Sequence, residues 1–155
     1  MARKVAEGSS VLLKNDNATL PFKAGTRVAV IGDMAATARY QGSGSSKVNA
    51  TKEENILEEV KNAEGLVLAG YEQGYDRQGK ADRVFVEDAV ALAGKESVDV
   101  VLAVVGLDER SESEALTVPP WRFRRCRTIC RSAEGRGQAD RGRACRRLSG
   151  RTAVD

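Results

Sequence analysis

The chain has 155 residues, 41% of them hydrophobic, with 25 Lys/Arg against 22 Asp/Glu and a formal net charge of +3. That length supports one domain with a packed core and is short for two. There is no His, and the three cysteines (Cys126, Cys130, Cys145) are odd in number and form no CxxC pair, so no metal centre, disulfide framework or cofactor is expected.

Residues 2–13 read as a helix, with Val5, Ala6, Leu12 and Leu13 able to share a face and Asn15-Asp16-Asn17 ending it. Residues 27–31 (RVAVI) read as a short buried strand that halts at Gly32-Asp33. A Gly/Ser-rich loop follows, Tyr40-Gln41-Gly42-Ser43-Gly44-Ser45-Ser46. Thr51-Lys52-Glu53-Glu54 matches the capping box T-x-x-E, in which a hydroxyl and a carboxylate satisfy exposed backbone donors, and is expected to open a helix burying Ile56, Leu57 and Val60. Residues 66–70 read as a second strand, and residues 81–93 as a second crossover helix with Phe85, Ala89 and Leu92 at core spacing. Residues 98–105 form an apolar run rich in Val, Leu and Ala. Its length and β-branching suit a third strand buried on both faces. Strand–helix alternation without internal repeats predicts the α/β class: a partial parallel-sheet sandwich of Rossmann- or flavodoxin-like layers with right-handed crossovers.

Beyond Pro120 this grammar stops. Residues 1–120 carry 14 Lys/Arg and 19 Asp/Glu, a net of −5, whereas residues 121–155 carry 11 Arg, no Lys and 3 acids, a net of +8. Trp121 and Phe123 accompany the arginines, but no nucleic-acid recognition module does, so phosphate binding there would rest on charge alone. No apolar run approaches the length of a membrane span and no secretory h-region is present, so the chain as given reads as cytoplasmic and without a membrane partner. The sequons Asn17-Ala18-Thr19 and Asn49-Ala50-Thr51 are read as chance matches.

Chemistry in an open α/β sheet gathers past the carboxyl ends of the strands. Four acids, Asp108, Glu109, Glu112 and Glu114, follow the third strand at such a place, either as a catalytic cluster or as a solvated acidic loop. Gly42, Ser43, Gly44, Ser45 and Ser46 suggest a phosphate cradle but lack the spacing of GxxxxGK[ST] or of GxGxxG, and a flexible surface turn needs no function. Lys14-Asn15 reads as helix-ending polar residues, and Asp33 as a cap for Met34-Ala35-Ala36.

The segments ARKVAEGSSVLLKNDNATLPF, RVAVIGDMA, RYQGSGSSKVNATK and VVGLDERSESE together resemble glycoside hydrolase family 3, the β-glucosidase-like enzymes. The match covers residues 2–114 and corresponds to about the first half of that family's second domain, an α/β sandwich. The resemblance implies that Glu114 is the general acid/base of a retaining glycosidase, with Glu112 as the alternate if the loop alignment slips by two. It implies that Gly42 to Ser46 line the sugar cleft, and that Lys14-Asn15 fasten the helix and loop near a domain interface. The nucleophile of the family is an Asp in a preceding barrel domain, and nothing in this sequence matches its motif. The isolated chain is therefore expected to be inactive, with a β-linked glucoside or oligosaccharide as substrate and a barrel domain as partner, and to self-associate through uncovered sheet edge and face.

In relatives of that kind the acidic segment continues as Gly-x-Asp-Arg and then Leu-Pro-x-x-Gln, whereas here Ala115-Leu116-Thr117-Val118 follow. Codons can be chosen for Glu114 to Cys130 so that one guanine restored after Glu114 yields Gly-Leu-Asp-Arg-Ser-Thr-Met-Ala-Leu-Pro-Ala-Val-Gln-Asp-Asp-Leu. Residues 115–155 are accordingly read as frameshifted translation of a GC-rich gene, a disordered or irregular Arg-rich tail, and residues 1–114 as the incomplete domain. Two other classes stay open: a stand-alone Rossmann-like nucleotide- or ligand-binding domain using Gly32-Asp33 and the Gly/Ser loop, and a basic-tailed nucleic-acid binder.

Overall fold

The computed structural model describes residues 1–15, 18–41, 44–45, 47–77 and 83–106. Three parallel strands lie in the order β2-β1-β3: β1 is Thr26–Ile31, β2 is Leu66–Glu72 and β3 is Val100–Ala103. Four helices accompany them among the described residues: α1 Ala2–Ser9, α2 Asp33–Ala36, α3 Ile56–Asn62 and α4 Arg83–Ala93. The strand–helix alternation of the α/β class is thus present, and all three segments predicted as strands contribute to the sheet.

Alternation along β1 sends its side chains to opposite faces, and both sets are apolar. Val28 and Val30 join Ala35 and Val60, with Phe22, Leu57 and Leu66 packed around them, on the face that α3 covers. Ala29 and Ile31 join Ala89, Leu92, Ala93 and Val98 on the face that α4 covers. The strand buried on both faces is therefore β1, whose Val28, Ala29 and Val30 are 0% exposed. The 98–105 run is instead a half-buried flanking strand of four residues. Composition alone made the two runs look alike, and the crossover that places β1 in the middle separates them. Pairing of β3 extends one residue beyond each end through Asp99 N to Arg27 O at 2.9 Å and Val104 N to Ile31 O at 2.8 Å. The Arg27 guanidinium also donates to both Asp99 oxygens, at 3.0 and 2.6 Å, fastening β1 to β3 at their amino ends. That hydrogen bond holds the guanidinium above its ordinary pKa.

Between Val28 and Ala29 the register against β2 shifts, so that Ala29 faces Gly70 rather than Ala69. A Cβ on Gly70 would stand 2.7 Å from Leu92 Cδ1, so the bare glycine gives α4 its close seat on the sheet.

Two helix boundaries differ from expectation. The cap of α3 is Asn55, whose side chain accepts from Glu58 N at 2.8 Å, rather than Thr51. Asparagine is as good a cap as threonine, and starting at Ile56 puts Leu57 and Val60 on the core side. Glu54, freed from the capping role, is held below its ordinary pKa by Lys52 and then by Arg3. Helix α1 stops at Ser9 because the Ser9 and Ser10 hydroxyls both donate to Ala6 O, at 3.0 and 3.2 Å, and Ser10 is already extended. Val5, Leu12 and Leu13 are exposed, so the expected apolar face is not buried against the sheet.

Leu92 sits at the junction of α4 and the Gly70 bulge, with its side chain almost fully buried. Leu92→Ala is expected to cost about 2–5 kcal/mol, read from the midpoint of urea unfolding followed by circular dichroism.

Candidate functional site

Three chain segments leave the carboxyl edge of the sheet together, and each is tied to its neighbours. After β1, Gly32 N donates to Glu72 O at 3.0 Å. Gly32 has φ +138°, and a Cβ there would collide with Val104 O, so only glycine lets the β1 exit pass between its neighbours. After β2, Tyr75 is 9% exposed and its hydroxyl donates to Val104 O at 2.9 Å. The Tyr75 hydroxyl oxygen in turn accepts a long hydrogen bond of 3.5 Å from Met34 N. One phenol therefore bridges the exits of β1 and β3, in the crevice where the strand order reverses.

Asp33 does not cap α2. The cap position is Gly32 and no side chain caps the turn, because the Asp33 carboxylate accepts from Arg77 Nε at 2.6 Å. Arg77 also donates to Thr37 O at 2.8 Å, so a single guanidinium holds both ends of α2. These two side chains are 22% and 18% exposed, enough burial for the pair to resist screening. Beside them the Tyr71 hydroxyl is pushed above its ordinary pKa, first by desolvation and then by the charges of Asp33 and Glu72, with Arg77 opposing. It stays a neutral donor through the physiological range.

The Gly/Ser loop is closed at its stems. Gln41 Nε2 donates to Val48 O at 2.9 Å and Gln41 Oε1 accepts from Val48 N at 2.9 Å. Within, Lys47 N donates to Gly44 O at 3.1 Å, and Gly44 has φ +92° with open space where a Cβ would stand. Tyr40 donates to Glu53 Oε1 at 3.1 Å, tying the loop to the approach to α3. Asn15 makes the same kind of clasp earlier in the chain, donating to Leu20 O at 2.7 Å and accepting from Leu20 N at 2.9 Å.

Of the predicted site residues, Gly44 and Ser45 are described and exposed. Gly42, Ser43, Ser46, Glu112 and Glu114 lie outside the described residues. Among the described residues no group of three His, Cys, Asp or Glu could hold a metal, and no helix is long and apolar enough to cross a membrane. Sequence reasoning missed Gln41, Tyr75 and Arg77. Ending β2 at Gly70 hid the last two, since a strand continuing to Glu72 would have placed Gln73 to Arg77 at the sheet's carboxyl edge.

Tyr75→Phe leaves Val104 O without its buried donor and is expected to cost about 1–3 kcal/mol in urea unfolding. Gly32→Ala should be more damaging, and failure to accumulate folded protein is the expected readout in expression and proteolysis trials.

The fold has counterparts of known activity. The crystal structure of a Bifidobacterium adolescentis GH3 β-glucosidase matches with a TM-score of 0.63 and 33% identity, over 80% of this chain and 18% of that one. Thermostable β-glucosidase B of Acetivibrio thermocellus is 40% identical over 116 residues, which is 74% of this chain and 15% of that protein. An exo-α-(1→6)-L-arabinopyranosidase of Bifidobacterium breve is 39% identical over 124 residues, 74% of this chain and 16% of its own length. A periplasmic β-glucosidase of Salmonella typhimurium is 31% identical over 144 residues, 76% and 19% respectively. The chain thus spans between 15% and 19% of these curated relatives. The model of the glycosyl hydrolase family 3 C-terminal domain matches residues 10–136, and the chain belongs to that family.

Proposed function

We propose that this chain is the acid/base-bearing portion of a retaining glycosidase acting on β-linked glucosides or related oligosaccharides, without metal or cofactor. One observation carries the reading. In a domain of this family, β3 runs parallel to β1 and delivers the chain at Gly106 to the carboxyl edge of the sheet, immediately before the acidic 107–114 segment. Glu114 is assigned the general acid/base and Glu112 the alternate. A proton donor must keep its proton near neutral pH, and neighbouring carboxylates at Asp108, Glu109 and Glu112 favour that by like-charge repulsion. The 42–46 loop is assigned to the sugar cleft, where the exposed Gly44 backbone and Ser45 hydroxyl suit sugar hydroxyls. The differing names of the relatives support glycosides as the substrate class rather than one sugar.

Retention needs a second carboxyl about 5–5.5 Å from the first, to attack the anomeric carbon. The reading assigns that nucleophile to a separate barrel domain, so proton donation alone forfeits most of the rate. A nucleotide-binding alternative has less support. Its crevice is bridged by Tyr75, its acidic residue Asp33 is taken by Arg77, and α2 is a single turn. Residues 115–155 are proposed to be the frameshifted product. The exposure of Val5, Val11, Leu12 and Leu13 supports self-association of the isolated chain.

The isolated chain is expected to hydrolyse an aryl β-glucoside no faster than buffer. Adding a family 3 barrel domain should raise the rate, and Glu114→Gln should remove the gain; activity of the chain by itself would overturn the assignment. Genomic reads across codon 114 are expected to show one guanine more than the reading frame given, and an undisturbed frame in independent isolates would refute the frameshift. Sedimentation should show species larger than a monomer.

A further inference from the structure

The loop between β1 and α3 is closed by one side chain, and the closure is chemically specific. The Gln41 amide satisfies both the N–H and the C=O of Val48, each at 2.9 Å, while its second amide hydrogen reaches the Tyr40 hydroxyl at 3.3 Å. Only a carboxamide offers two donors and an acceptor in that fork. Inside the clasp the Lys47 N to Gly44 O hydrogen bond forms a turn, and Gly44 and Ser45 stand exposed at its tip. Gly44, Ser45 and Lys47 are all exposed, so the shape of the turn depends on the stem.

We propose that Gln41 is the positioning residue of a sugar-binding loop, its amide fixing the stem so that the Gly44–Ser45 backbone is presented to sugar hydroxyls. This rests on the family-based reading of the loop given above. A loop held before binding loses less conformational freedom on binding than one that must be ordered by its ligand, so the clasp raises affinity without touching the sugar. The Gly44 φ of +92° fits that role, because a side chain there would strain the turn.

The full chain labelled with ¹⁵N provides the test, with methyl β-D-glucoside as probe. In the wild type, the Gly44 and Ser45 amides are expected to shift on titration. Gln41→Ala should speed hydrogen exchange at Val48 N by roughly tenfold, the order expected for losing a pair of exposed hydrogen bonds. It should also abolish the glucoside shifts, while Val30 and Ala89 keep their protection. Gln41→Glu separates the clasp from general destabilisation. A protonated carboxyl has one donor and one acceptor and reproduces the Val48 pair, whereas a carboxylate faces Val48 O with negative charge. The folded-state pKa of that carboxyl is thereby raised, so the clasp is complete below the unfolded value of about 4.3 and is lost as pH rises through the folded value. Val48 protection and glucoside shifts should follow that titration in Gln41→Glu and not in the wild type. Unchanged Val48 exchange in Gln41→Ala would overturn the clasp, and persistent glucoside shifts in that variant would overturn its positioning role. Wild-type amides indifferent to glucoside, with Val48 behaving as expected, would overturn the sugar-binding reading of the loop while leaving the clasp itself in place.

Discussion

The structure depends on one strand being apolar on both sides. In β1, Val28, Ala29 and Val30 are fully buried and Ile31 is 1% exposed, so four consecutive residues supply the centre of two separate clusters. Fully burying a Val or Ile side chain stabilises by roughly 1.5–3 kcal/mol, and here successive residues do so on alternate faces. Helices α3 and α4 pack into separate clusters, each on its own face of the sheet. Removing β1 would leave two half-buried strands and two helices with no shared core. The same centrality explains Gly32. A strand flanked on both sides has no lateral freedom at its exit, and the Val104 carbonyl occupies the space of a Cβ.

Much of this was legible because it is local. Val, Ile and Leu runs separated by amphipathic stretches announce an α/β sheet, and the residues of α4 that pack inward, Ala89 and Leu92, follow the helical period. Strand order is another matter. The segments RVAVI and VDVVLAVV carry the same apolar signal, and only the path of the chain puts one in the middle and the other at its flank. The start of α3 was ambiguous for a similar reason: Thr51 and Asn55 each stand three residues before a Glu, and packing of Leu57 and Val60 chose between them. The side chains that tie the carboxyl edge were illegible in principle. Tyr75 meets Val104 across 29 residues and Arg77 meets Asp33 across 44, and no periodicity in the sequence encodes such pairs. The predicted 42–46 loop was found through its glycines and serines, while Gln41, which closes it, looked like ordinary loop composition.

The ties at that edge bear on where a ligand can sit. In an open α/β sheet the crevice at the reversal of strand order is the natural pocket. Here it is crossed by the Tyr75 phenol, and the adjoining turn is held by the Arg77 guanidinium, with Tyr71 beside it. Beyond these ties the chain continues from Thr37, whose carbonyl Arg77 grips, and from Gly106 after β3. The chain spans between 15% and 19% of the curated relatives it matches.

Two loops among the described residues are closed by carboxamides rather than by ion pairs. Gln41 closes on Val48 and Asn15 on Leu20, each by donating to and accepting from one backbone unit. Both lie at the surface, where an ion pair would be weakened by water and salt. A carboxamide is also neutral at every pH that the fold survives, so its two hydrogen bonds persist while nearby carboxyls gain and lose protons. General acid/base chemistry requires one carboxyl to change charge in each cycle. Were Gln41 a carboxylate, its contact with Val48 O would become repulsive in the ionised state, and the loop stem would respond to the same variable as the chemistry. Neutral clasps keep the geometry of the loop independent of the proton that the proposed reaction moves.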